Sequence, residues 1–392
     1  MILGDQQPDG EAVAVTDVLA KLAEWKYSVR LRNRFALAEP ELLSTGSAFT
    51  CQIVDGTGYC WGSNDKGQLG SGTLDDSARP LRIAGRTDLR SIGAGSQHAC
   101  ALTTDGTAYC WGDNSSGQLG NGSIDDGSRV PTPVSGGVRF VSISGGWEHT
   151  CGVTPEGDAY CWGSNDDGQL GNGSKASSPK PVRVAGKLRW RSVTAGIGYT
   201  CGLAYGGKAY CWGSNHFGHL GNGSKVPSRV PVAVAGGLSF TAVIAGNLHN
   251  CGLTKGGRAY CWGMNEWGEL GNGSETASAV PVPVSGDLSF AQLAISKPSG
   301  PAHTCGVTTS GAAYCWGYAS ELLGSPEVQD HAKPLRVQTD TTFVAVSAGF
   351  SHSCGRAVNG TTYCWGSNRY GQLSDAASGD TWRPVSVRVP PP

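Results

Sequence analysis

The 392-residue chain is short of charge. Asp, Glu, Lys and Arg make up 16% of it, against about 25% in an ordinary globular domain. Helical bundles and coiled coils, which need charged helix surfaces, are disfavoured. No sign of charge is in surplus, with 30 Lys and Arg against 31 Asp and Glu. Electrostatic binding to nucleic acid draws on an excess of Lys and Arg, so that class is disfavoured too. No run approaches the roughly 18 apolar residues that a membrane-spanning helix needs, so no membrane insertion is expected. There is no Cys-x-x-Cys knuckle, no Gly-x-Ser-x-Gly elbow, no Walker loop and no His-Glu-x-x-His. Neither a metal site, a cofactor nor an enzyme is implied.

Glycine and aromatics are abundant. There are 60 Gly, about twice the usual share of roughly 7%. The 12 Trp, 12 Tyr and 8 Phe supply ample material for a core and argue against disorder. Together these point to many short strands joined by glycine turns.

The dipeptide Cys-Trp followed by Gly recurs at Cys60, Cys110, Cys161, Cys211, Cys261, Cys315 and Cys364. A period near 50 residues suggests propeller blades, sheets too small to bury both faces alone. In one period, the run from Lys180 reads as a first strand, Arg189 to Thr194 as a second, Tyr199 to Leu203 as a third and Lys208 to Gly213 as a fourth. Gly206-Gly207 marks the hairpin between the last two. The predicted fold is all-β: a seven-bladed propeller of four-stranded blades over residues 31–392. The Arg383 to Val389 run has no hairpin after it, and the first hairpin has no such run before it. The C-terminal strand is therefore expected to complete the N-terminal blade and close the ring, removing exposed edges. Residues 1–30 form an extension in which Val15, Val18, Leu22 and Trp25 share one helical face, predicting a short amphipathic helix.

All 14 cysteines fall in pairs: Cys51/Cys60, Cys100/Cys110, Cys151/Cys161, Cys201/Cys211, Cys251/Cys261, Cys305/Cys315 and Cys354/Cys364. Cys251 and Cys261 are centred on Gly256, so they face each other across a hairpin within disulfide reach. The alternative is a reduced pair of small buried residues. Seven disulfides predict an oxidising, extracytoplasmic or secreted setting, although the N-terminus shows no signal-peptide pattern.

The pattern Gly-x-x-His-x-Cys-x-Leu, then Gly-x-x-Tyr-x-Trp-Gly-x-Asn-x-x-Gly-x-Leu-Gly, clearest at Gly145 to Gly171 and Gly246 to Gly271, resembles the regulator of chromosome condensation repeat family. The resemblance covers roughly residues 35 to 389 and implies a seven-bladed propeller. Repeat six departs from it at Ser296 to Pro301 and at Tyr318 to Gly324. The founding member exchanges guanine nucleotide on a small GTPase and binds chromatin; no residues here allow its exchange site to be carried over. A plant ultraviolet photoreceptor resembles this chain at Gly146 to Thr150, but other blades place Gln97, Gly198 and Leu248 where its tryptophans would be needed. The secreted β-lactamase inhibitor of the family and certain receptor-kinase ectodomains are similar in their cysteines and neutral charge, and both bind proteins through propeller loops.

The recurring His98, His149, His249, His303 and His352 precede a cysteine by two residues. Phe49 and Tyr199 take the same slot, so a metal ring is disfavoured and a hydrogen bond between neighbouring blades is expected. Asn121, Asn172, Asn222 and Asn272 stand in Asn-Gly-Ser and read as turn residues first. The informative positions are those that vary within a fixed loop. Phe217, Trp267 and Tyr370 occupy equivalent loop positions, and Trp147 and Phe350 precede a third strand. Exposed aromatics on loops are the usual makings of a protein-binding hot spot; the alternative is packing between blades. The function expected is a non-catalytic, monomeric scaffold for another protein, with GTPase regulation and glycan binding as alternatives.

Overall fold

A computed structural model describes residues 41–297, 302–318, 323–326 and 331–390. The helix predicted within residues 1–30 lies outside them. The described strands form seven four-stranded antiparallel sheets, each built from consecutive strands. Blade 4 is representative: Trp190–Ala195, Tyr199–Ala204, Ala209–Gly213 and Ser228–Ala233. The first strands of neighbouring blades contact one another in a closed cycle, so they lie innermost and the fourth strands form the rim. Every cysteine pair is a disulfide between directly opposed residues of the second and third strands, with Cα atoms 4.0–4.1 Å apart.

The expected strand sharing does not occur. The C-terminal strand Thr381–Val387 pairs with Thr362–Gly366 of blade 7, its own repeat. Blade 1 is completed by Leu43–Thr45 as its inner strand and Ser77–Arg82 as its rim strand. The Val-Pro runs read as first strands are therefore the fourth strands of the preceding blades. A proline lacks the N–H that a central strand would donate, and a rim position is where a sheet tolerates one. Pro131, Pro181, Pro231 and Pro281 also blunt the exposed edges.

Side chains close the ring instead. Blade 7 meets blade 1 with the same bonds that join other neighbours. The Trp61 indole donates to the Gln372 carbonyl at 2.9 Å, as Trp111 does to Gln68 and Trp162 to Gln118. The motif tryptophans are fully buried. Each thus fills the space between two blades while its N–H, costly to bury unpaired, finds a backbone acceptor next door.

The histidines join the blades as well. Nε2 of His98, His149 and His249 lies 2.7–2.9 Å from the hydroxyl of Thr150, Thr200 and Thr304 respectively. Each of those hydroxyls donates its proton to a carbonyl, of Gln118, Gln169 and Glu269. It must therefore accept from the histidine, which fixes the Nε2–H tautomer. His303 bonds Ser353 and His352 bonds Thr50 across the next interfaces, and the Tyr199 hydroxyl donates to the His249 carbonyl. Beneath the ring of His98 sits Gly95, where a Cβ would come within 2.3 Å of it.

Candidate protein-binding face

The antiparallel order puts two kinds of connection at each end of the blades. At one end lie the turns between first and second strands and the glycine-rich loops between third and fourth; this is the loop face. The hairpins between second and third strands and the links to the next blade form the opposite, hairpin face.

Six of the long loops are braced from within by an asparagine. Oδ1 of Asn165 accepts from the Leu170 amide at 2.9 Å while its Nδ2 donates to the carbonyls of Ser174 and Ala176. Asn172, in Asn-Gly-Ser, accepts from the Ser174 amide as a turn residue does. In four blades a buried glutamine adds a further brace. Gln169 Oε1 accepts from the Asp167 amide at 3.0 Å, and its Nε2 donates to the Ser164 hydroxyl at 3.1 Å. Gln68, Gln118 and Gln372 act alike. The residue two places before the glutamine is thus carried on a rigid loop and points away from the core.

Tyr370 stands at such a position, and Phe217 and Trp267 stand at the equivalent positions of blades 4 and 5, where another residue replaces the glutamine. Trp267 is 48% exposed and Tyr370 39%, whereas Phe217 is half-buried. Trp147, in a turn on the same face, is 47% exposed, and Phe350 is half-buried. All five lie on the loop face, but no ring contact joins any two of them among the described residues. Trp267 instead packs edge-on against Tyr318, with centroids 5.0 Å apart. The Arg369 guanidinium lies 5.6 Å from the Tyr370 ring. The Trp147 amide donates to the Gly196 carbonyl and the Phe350 amide to that of Ser47, each tying its turn to the next blade.

Two residues beneath the aromatics were passed over in the sequence. In blades 4 and 5 the bracing glutamine is His219 and Glu269, both fully buried. Glu269 Oε2 still accepts from the Trp267 amide, at 2.9 Å. Its Oε1 has no partner among the described residues, and Met264 stands where Ser164 receives the glutamine amide in blade 3. Burial pushes the Glu269 carboxyl up to about 7, and Glu266 and Glu275 add to the rise, while the backbone amides of Trp267 and Glu269 act against it. The signal was there to read: Gly-Glu-Leu-Gly and Gly-His-Leu-Gly interrupt a run of Gly-Gln-Leu-Gly.

A family model for the RCC1-like domain matches residues 33–297, and one for the regulator of chromosome condensation (RCC1) repeat matches 343–372. The chain belongs to the RCC1-like domain family. It is 32% identical over 142 residues to the human E3 ubiquitin-protein ligase HERC2, a match covering 35% of this chain and 3% of the ligase. It is 30% identical over 145 residues to the ultraviolet-B receptor UVR8 of Arabidopsis thaliana, covering 36% of this chain and 33% of the receptor. The fold is shared with yeast RCC1 (Prp20) bound to Kap60, at a TM-score of 0.74 and 20% identity, over 89% of this chain and 85% of that one. The CRINKLY WD40 ectodomain of the Arabidopsis receptor kinase ACR4 aligns at 0.54 and 19% identity, over 89% and 98%.

Proposed function

We propose that this RCC1-like propeller is a non-catalytic scaffold that captures a partner protein on its loop face. The observation that carries the reading is Trp267, half-exposed on a braced loop and held edge-on by Tyr318. A large aromatic held rigid and exposed leaves water on binding and gives up little conformational entropy in doing so, which is the profile of an interface anchor. Trp147 and Tyr370 extend the face around the ring. The seven disulfides support an extracytoplasmic setting, as does the likeness of the fold to a receptor-kinase ectodomain.

The test is capture by the purified propeller from extracellular extract, with Trp267→Ala beside it. The variant is expected to melt within a few degrees of the parent and to lose capture by at least about tenfold, since truncating such an anchor costs roughly 2 kcal/mol or more. A large drop in melting temperature with capture intact would assign Trp267 to the core. Accelerated nucleotide release from a small GTPase, or binding on a glycan array, would replace the reading with one of its alternatives.

A further inference from the structure

The near-zero net charge conceals a polarised ring. From Glu41 to Asp167 the chain carries 15 Asp or Glu and 7 Lys or Arg. Between Asp167 and Glu266 it carries eleven Lys or Arg and no acidic residue at all. The fold turns that stretch into a sector comprising the rim strand of blade 3, the whole of blade 4 and most of blade 5.

Four exposed cations of this sector stand on the hairpin face. The link ahead of blade 4 is bonded to the blade 3 hairpin by the Trp190 amide and Gly157 carbonyl, at 2.8 Å. The link ahead of blade 5 is bonded to the blade 4 hairpin by the Phe240 amide and Gly207 carbonyl, at 2.8 Å. Lys187 lies on the first link, Lys208 on the blade 4 hairpin, and Lys255 and Arg258 on the blade 5 hairpin; all four are exposed. None makes an ion pair among the described residues. Tyr205 is 44% exposed on the blade 4 hairpin, its amide bonded to the Arg189 carbonyl and its hydroxyl in the field of Arg191.

The sector is bounded. Asp158 engages both Arg183 and Arg189 and offsets part of the charge at its blade 3 edge. Glu156 stands on the same hairpin, and Asp287 lies on the link beyond blade 5. Clustered like charges repel, and an opposite charge brought by a partner relieves that cost.

We propose that the hairpin face of blades 4 and 5 docks a short acidic segment of a partner protein, with Lys208, Lys255 and Arg258 as charge contacts and Tyr205 as the aromatic anchor. The bounds favour a short segment over a long polyanion, which would run on to Glu156, Asp158 or Asp287. The chain's net charge of −1 gives a polyanion no attraction beyond a Debye length of about 8 Å. The surface is separate from the aromatic loop face and stands or falls independently of it.

The experiment titrates the full chain with a fluorescein-labelled peptide of about twelve alternating Glu and Gly residues, followed by anisotropy at about 20 and 150 mM salt. The triple variant Lys208→Glu, Lys255→Glu, Arg258→Glu is expected to weaken binding at least about tenfold at low salt. Tyr205→Ala is expected to weaken it at both salts. The double variant Lys66→Glu, Arg129→Glu, on blades 1 and 2, should leave binding unchanged. Circular dichroism and melting curves confirm that each variant is folded. Equal binding by the parent and the folded triple variant would overturn the proposal. So would tighter binding, at about 150 mM salt, of a single-stranded DNA 20-mer or a sulfated oligosaccharide, or self-association of the chain abolished by the triple variant, since those outcomes name a different occupant.

Discussion

Acid should open the ring at its histidines. Burial holds His98, His149, His249 and His352 at about 3 and His219 and His303 at about 4, with the Lys297 amine adding to the depression of His98 and His149. The structural cause is visible where the tautomer is fixed. Nε2–H is spent on a threonine of the next blade, so a second proton must go to Nδ1. That atom is buried without an acceptor in His98, His149 and His249. In the unfolded chain the same imidazoles titrate near 6.5. Between the two values the unfolded state binds more protons, so stability is full above about pH 6.5 and declines as pH falls. At pH 5 each histidine forfeits roughly 2 kcal/mol, at about 1.4 kcal/mol per pH unit. Six such groups reach on the order of 10 kcal/mol, comparable with the whole stability of a typical domain. Near-ultraviolet circular dichroism and tryptophan fluorescence, followed from pH 8 to pH 3, should show a cooperative loss of the native signal centred near about pH 5. The variant His149→Gln keeps an N–H for Thr200 and cannot titrate; its transition should be shallower by about one proton. Native spectra persisting at pH 3 would refute the reasoning.

Glu269 pulls the other way. Its folded value is about 7 against 4.5 unpaired, so stability falls as pH rises between the two, by up to ~3 kcal/mol. Glu269→Gln keeps an acceptor for the Trp267 amide and removes the buried charge, and is expected to raise the melting temperature at pH 8 and leave it near the parent's at pH 4.5. A lower melting temperature at pH 8 would show that the carboxylate is held in the native loop. Deleting Thr381 to Pro392 should strip the rim strand of blade 7 and take Val387 out of the buried cluster it forms with Cys364 and Leu373. Amide exchange should then quicken in Thr362–Gly366, whereas a shared-strand ring would lose protection in Leu43–Thr45. Peptide mapping of unreduced protein is expected to recover each link within one blade, such as Cys201 to Cys211; links between blades, or fourteen free thiols in protein from its own compartment, would contradict the disulfide architecture.

The sequence by itself determined the architecture, the blade number and the disulfides. All three are repeated features, and seven copies of Cys-Trp-Gly at a period near 50 leave one way to bury the tryptophans. The histidine slot was legible for the same reason: a residue replaceable by Phe49 and Tyr199 serves the fold, and its bond to the next blade is what the structure supplies. The phase of the repeat was not legible from the period, because a periodic pattern looks alike wherever the blade boundary is drawn. Which strand is innermost depends on contacts between blades, and the three-residue strand Leu43–Thr45 that begins blade 1 is too short to announce itself. The proline in six of the seven rim strands, and directly before the remaining one, was the local clue, since only an edge accommodates it. Tertiary structure alone decided the surfaces. Folding put Trp267 and Tyr318, in different blades, ring against ring, left Phe217 and Phe350 half-covered, and set four exposed cations of an acid-free stretch on the hairpin face. Each depends on which blades are neighbours and which end of a strand a residue occupies, and those relations exist only once the ring is closed.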